Sequence, residues 1–135
     1  MPLTPDTIPT NISLNEFKGK ILTWNEKTTT SPSGRHLGRY KALFAPSIYL
    51  PDTLEHTEFT SKQEDVVKLI LGIINFCITT GKPLVRWCRI INTMIFKEAG
   101  NYQIHRLRVI HIFEADLNMI YAVKWRALLR HAEYH

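Results

Sequence analysis

The chain has 135 residues and a formal net charge of +5, with 44% hydrophobic and 21% charged residues. That length fits one domain with a sizeable core, and that balance excludes a disordered polar chain. No apolar run approaches the ~20 residues that span a bilayer; the longest, Val66 to Thr80, is broken by Lys68, Gly72 and Asn75.

Met1 to Thr10 holds three prolines and no basic residue. It therefore reads as no secretory or mitochondrial leader, and an intracellular chain without membrane partners is expected, nucleus and cytoplasm undistinguished. Residues 1–12 read as a flexible arm ahead of a single domain over 13–135. Ser13-Leu-Asn-Glu16 is a capping box, in which the hydroxyl and the carboxylate satisfy free amides at a helix start. Leu14, Phe17, Ile21 and Trp24 follow at helical spacing and predict a helix over Leu14 to Asn25.

Thr28 to Gly34 is a loop by composition, and a short helix is expected near Tyr40 to Phe44. Ala45 to Glu58, with Pro46 and Pro51, reads as a further loop. Ser61-Lys-Gln-Glu64 is a second capping box. Val66, Val67, Ile70, Ile73, Ile74 and Cys77 then form an apolar stripe, predicting a long helix over Lys62 to Thr79 that Gly81 and Pro83 stop. Pro83 can open a second short helix carrying Val85 and Trp87.

Arg89 to Lys97 is apolar and rich in β-branched residues, which predicts a strand. Gly100-Asn101 turns the chain, and His105 to Phe113 is a second strand with Arg106, Arg108, Ile110 and Ile112 on one face. Glu114 and Asp116 favour the start of a last helix running to about Arg130, with Leu117, Ile120, Tyr121, Lys124 and Leu128 on one face. The expected fold is α+β: mostly helical, with a two-stranded antiparallel hairpin.

The charge is unevenly placed. Residues 1–80 hold eight Lys/Arg and eight Asp/Glu; residues 81–135 hold nine and four, so the excess lies in the second part. A further basic cluster is Lys27, Arg35, Arg39 and Lys41. Basic patches suit nucleic acid or phosphate, although charge alone favours a solvated face. Arg106 and Arg108 lie two apart on a strand, and an antiparallel partner brings Lys97 near them. Arginine's planar fork suits phosphate; the alternative is that Glu98, Glu114 or Asp116 neutralises these cations.

The stretch Ser31 to Arg39 lacks the G-K-[ST] end of a phosphate-binding loop. Its amides and arginines suit a nucleic-acid backbone or an ordinary basic turn. Trp24, Trp87 and Trp125 are read as core residues, with base stacking as the alternative. Cys77 and Cys88 read as buried small hydrophobes. No metal site is expected, since His105/His111 and His131/His135 lack a third ligand. No nucleophile elbow occurs, and no aspartate ends an apolar strand, so no catalytic residue is assigned.

Taken in order, these motifs resemble the N-terminal, fingers portion of a reverse transcriptase of the non-long-terminal-repeat retrotransposon type, over roughly Thr28 to Leu129. The family has a loop of the S-P-G-x-D kind, here Ser31-Pro-Ser-Gly34-Arg35-His36. An apolar helix follows, stopping near a proline, here Gly81-Lys82-Pro83 with Trp87 beyond. The family's Pro-Lys strand end is here Phe96-Lys97, its L-R-P-[IL] is Leu107-Arg108-Val109-Ile110, and its polar step into a helix is Glu114 to Asn118. The chain departs at Phe96 and Val109, which replace two prolines, and after Gly34, where Arg35 and His36 stand and the expected aspartate is missing.

The resemblance implies part of the fingers of a polymerase right hand. Lys97, Arg108 and Arg106 would meet the incoming deoxynucleotide, and Arg35, Arg39 and Lys41 would lie near the template. It implies an RNA template and DNA primer as partners, and magnesium as cofactor only in the complete enzyme. The family's catalytic aspartates lie beyond this stretch, so the resemblance implies a fragment inactive alone. It also leads us to expect Ile70, Ile73 and Ile74 beneath the hairpin, and bare apolar surface on the hairpin or last helix. The rivals are a stand-alone basic nucleic-acid-binding module and a helical protein-interaction domain.

Overall fold

A computed structural model describes residues 10–25 and 31–133. Among them are four α-helices and one two-stranded antiparallel hairpin, a mixed helix-and-sheet architecture. Residues 1–9 of the arm expected over 1–12, and the basic residue Lys27, lie outside the described residues. Ile12, at the end of that arm, is buried: Asn75 accepts from its amide at 2.7 Å and donates to its carbonyl at 2.9 Å.

Helix α1 spans Leu14–Thr23 and begins with the expected capping box. The Ser13 amide donates to Glu16 at 2.8 Å, and the Glu16 amide donates back to the Ser13 hydroxyl at 3.3 Å. Phe17 and Ile21 are completely buried. Burial of side chains this size contributes ~1.5–3 kcal/mol each. Helix α2 spans Leu37–Ala42, three residues earlier than expected, because the His36 imidazole accepts from the Gly38 amide and caps it there.

Helix α3 spans Leu54–Thr80. It therefore absorbs the last part of the segment expected to be a loop, Leu54 to Glu58, and the Ser61 capping box lies inside it. The true cap is Thr53, whose hydroxyl accepts from the His56 amide at 3.2 Å. Asp52 before it turns the chain with φ 66°. The helix ends on Gly81, at φ 67°, a left-handed cap that glycine takes without steric cost. A 3-10 turn over Val85–Cys88 takes the place of the second short helix and buries Trp87.

Strand β1 (Ile91–Phe96) pairs with β2 (Leu107–Ile112), Ile91 opposite Ile112 and Phe96 opposite Leu107. Helix α4 spans Ala115–Glu133. The core gathers Ile12, Phe17, Ile21, Tyr40, Val67, Ile74, Cys77, Trp87, Leu117, Met119 and Ile120. It is a helical core; the hairpin contributes no fully buried residue. Ile74 packs among helices rather than beneath the hairpin, Ile70 is half-buried and Ile73 is exposed. Tyr121 and Leu128, expected on the packed face of α4, are exposed, as is Trp125. Cys77 is buried as expected, whereas Cys88 is exposed. Among the described residues no helix is long and apolar enough to cross a membrane.

Candidate nucleic-acid interface

The hairpin stands out from the core with both of its faces open. Met94, Phe96 and Val109 are exposed on one face, and Ile91, Ile95 and Ile110 on the other. Its tip is braced by Phe96 against Tyr102, ring centroids 5.0 Å apart and nearly perpendicular, and by Gly100 at φ 80°. Asn92 and His111 face each other across the ladder, His111 Nδ1 lying 2.7 Å from the Asn92 side-chain oxygen.

Lys97, Arg106 and Arg108 sit at the far end of this ladder, all exposed. Arg108 is opposite Ile95, and the Lys97 amide donates to the Arg106 carbonyl at 3.0 Å. The sequence reading needs two corrections here. Arg106 ends a 3-10 turn over Ile104–Arg106 instead of lying in the strand, so strand alternation aligns only residues from Leu107 onward. Glu114 and Asp116 do not neutralise these cations. Among the described residues only Glu98 reaches one of them, 3.7 Å from Arg106, an exposed ion pair of the weak kind. Among the described residues no ion pair holds Lys97 or Arg108.

Glu114 and Asp116 are buried instead around Arg86, a residue the sequence reading left without a role. Arg86 donates to Asp116 through both guanidinium nitrogens, one at 2.7 Å, and to Glu114 at 3.3 Å. The Trp87 indole donates to Asp116 at 3.0 Å. Burial works against the guanidinium charge, yet the bonds to Asp116 and its charge outweigh it and raise the Arg86 pKa above its ordinary value. Tyr40, also next to Asp116, has its phenol pushed up to about 12 by burial and then by that carboxylate's charge. The only local signal for this cluster was the pair of carboxylates two residues apart at the start of α4.

The same cluster fixes the basic loop. Glu114 accepts from the Ser33 amide and hydroxyl, both at 2.8 Å. The Ser31 hydroxyl accepts from the Ala115 amide and donates to the Arg35 carbonyl at 2.7 Å. Arg35 and Arg39 are thereby held exposed at the start of α2, with half-buried Lys41 in the same helix. A cleft of about 450 Å³ opens beside them, lined by Arg35, Tyr40, Ile70, Ile73, Leu84 and Arg86 among others.

No family model, curated protein or solved structure matches the chain.

Proposed function

We propose that this chain is a phosphate-gripping segment of an RNA-directed DNA polymerase of the non-long-terminal-repeat retrotransposon type. It would contact template–primer and the incoming deoxynucleotide without carrying out the chemistry itself. The order of the sequence motifs suggests the family. The observation that carries the reading is the exposure of Lys97 and Arg108 on a projecting hairpin, where no described carboxylate pairs with them.

On this reading Lys97 and Arg108 meet the triphosphate or the adjoining backbone, and Arg35, Arg39 and Lys41 meet the template backbone. Arginine donates two parallel hydrogen bonds to phosphate and lysine supplies a compact charge. The bare apolar faces of the hairpin suit a segment that packs into a larger body, as fingers do. The buried carboxylates do not fit the magnesium that the family uses. Asp116 is taken by Arg86 and Trp87, and Glu114 by Arg86 and Ser33, so neither offers free oxygens to a cation. This segment's part is therefore binding and orientation.

The test is fluorescence anisotropy of a labelled RNA–DNA template–primer duplex titrated with the chain across a sodium chloride series. Expected is binding whose logarithm falls linearly with log salt, by ~0.9 for each phosphate contacted. Lys97→Ala with Arg108→Ala lowers both affinity and slope. Absence of binding at low salt, or binding indifferent to the double variant, overturns the reading. Tight binding to unrelated duplexes with no preference for a template–primer end instead favours a stand-alone basic module.

A further inference from the structure

Helix α3 is 27 residues long, and it buries only Val67, Ile74 and Cys77 fully. Val66, Leu69, Ile73 and Phe76 recur on another face at steps of three, four and three, the seam spacing of two paired helices. All four are exposed, Leu69 at 64% and Phe76 at 63%. Gly72 lies beside Leu69 and Ile73, and nothing stands within 4 Å of where its Cβ would be. Its bare backbone admits a close neighbour. The stripe also runs through Ile73 into the cleft that Ile70, Leu84 and Val85 help to line.

The charges around this stripe are polarised along the helix. The same three-and-four steps carry it back through Asp65, Lys62, Glu58 and Glu55, so three of the four charged positions there are acidic. Beyond Asp65 no acid occurs until Glu98, while Lys68, Lys82, Arg86, Arg89 and Lys97 intervene, of which Arg86 is already taken by Asp116 and Glu114. Lys82 and Arg89, just past the end of the helix, are exposed. An object that matches both the apolar seam and this polarity is the same helix running the other way.

We infer that the outer face of α3 pairs with α3 of a second copy of this chain, antiparallel. That arrangement sets Val66 beside Phe76 of the second copy and Leu69 beside its Ile73, two apolar layers each repeated by symmetry. It brings the acidic first turns of each helix toward Lys82 of the other. A parallel pairing would set acid against acid. Opposed helices also place each positive dipole end near the other's negative end. The seam contains none of Lys97, Arg106 and Arg108, so the pairing does not depend on phosphate binding by the hairpin.

Sedimentation velocity over a concentration series tests it, with circular dichroism to verify that each variant is folded. Expected is a monomer–dimer equilibrium whose dissociation constant rises by ~10-fold or more in Leu69→Glu and in Phe76→Glu. Glu58→Lys alone weakens the dimer by setting like charges together, and Glu58→Lys with Lys82→Glu restores it by exchanging the two signs. A chain that stays monomeric at several hundred micromolar overturns the inference. So does a dimer indifferent to these substitutions, or one that Ile95→Glu on the hairpin dissociates while Leu69→Glu does not.

Discussion

Arg86 and Asp116 are 30 residues apart in sequence, yet the guanidinium holds both oxygens of the carboxylate. This pairing ties the turn after α3 to the first turn of α4, and the hairpin between them is left to project. Glu114 extends the same cluster to Ser33, so one set of buried charges fixes both the base of the hairpin and the basic loop. The Arg86 side chain is 19% exposed and that of Asp116 1%.

Asp116→Asn is expected to destabilise the fold by about 3 kcal/mol, because a largely buried guanidinium loses the closer of its two carboxylate partners and keeps only Glu114 at 3.3 Å. Arg86→Ala is expected to cost a similar amount, and the double variant less than the sum, since each single change already breaks the shared contact. Urea unfolding followed by tryptophan fluorescence measures all three, Trp87 being bonded to the same carboxylate. Additive losses would show that the two side chains act separately.

Tyr40 supplies a pH signature. Its pKa is raised to about 12 by burial and by the Asp116 charge, from an ordinary value of 10.0. A raised folded-state value favours the protonated phenol in the native state. The associated stability is fully present below pH 10 and is lost as pH rises through about 12. Tyr40→Phe should therefore remove one ultraviolet tyrosinate step near pH 12 and flatten the fall of stability over that interval. An unchanged titration of the variant would place the late step elsewhere.

Thr53→Ala is expected to cost ~1 kcal/mol through loss of the cap on α3, whereas Ser61→Ala should change stability little. Thr53 accepts from the His56 amide, while Ser61 is exposed in mid-helix. Thermal unfolding of the two variants separates them, and the reverse order would move the start of the helix back to Lys62.

These elements show what can be read from local pattern. The hairpin strands were legible because a β-branched run, a glycine turn and a second alternating run each state a local preference. Helix α1 was legible from its capping box. The start of α3 was misjudged because Ser61-Lys-Gln-Glu64 has the form of a cap and Pro51 suggested a loop. Pro51 in fact lies outside the helix, and Asp52 at φ 66° turns the chain into it. The Arg86 cluster was not legible, since a charged residue reads as solvated unless its distant partners are known. The open faces of the hairpin follow from missing neighbours, and no local pattern encodes those.

The cations of the hairpin differ in how free they are, and that difference gives the last prediction. Arg106 shares its charge with Glu98 at 3.7 Å, whereas no described ion pair holds Arg108. A phosphate arriving at Arg106 must compete with a carboxylate; one arriving at Arg108 need not. Arg108→Ala should therefore lower duplex affinity more than Arg106→Ala and reduce the salt slope by ~1, the loss of one phosphate contact. Glu98→Gln should act in the opposite direction. It removes a negative charge next to the site and releases Arg106, so affinity rises and the slope steepens. The exposed ion pair that it breaks is worth ~0–1 kcal/mol at most, so folding should barely change. Anisotropy titrations of the three variants at several salt concentrations decide the matter. Equal losses for the two arginines, with no gain from Glu98→Gln, would mean that the hairpin cations act only through bulk charge.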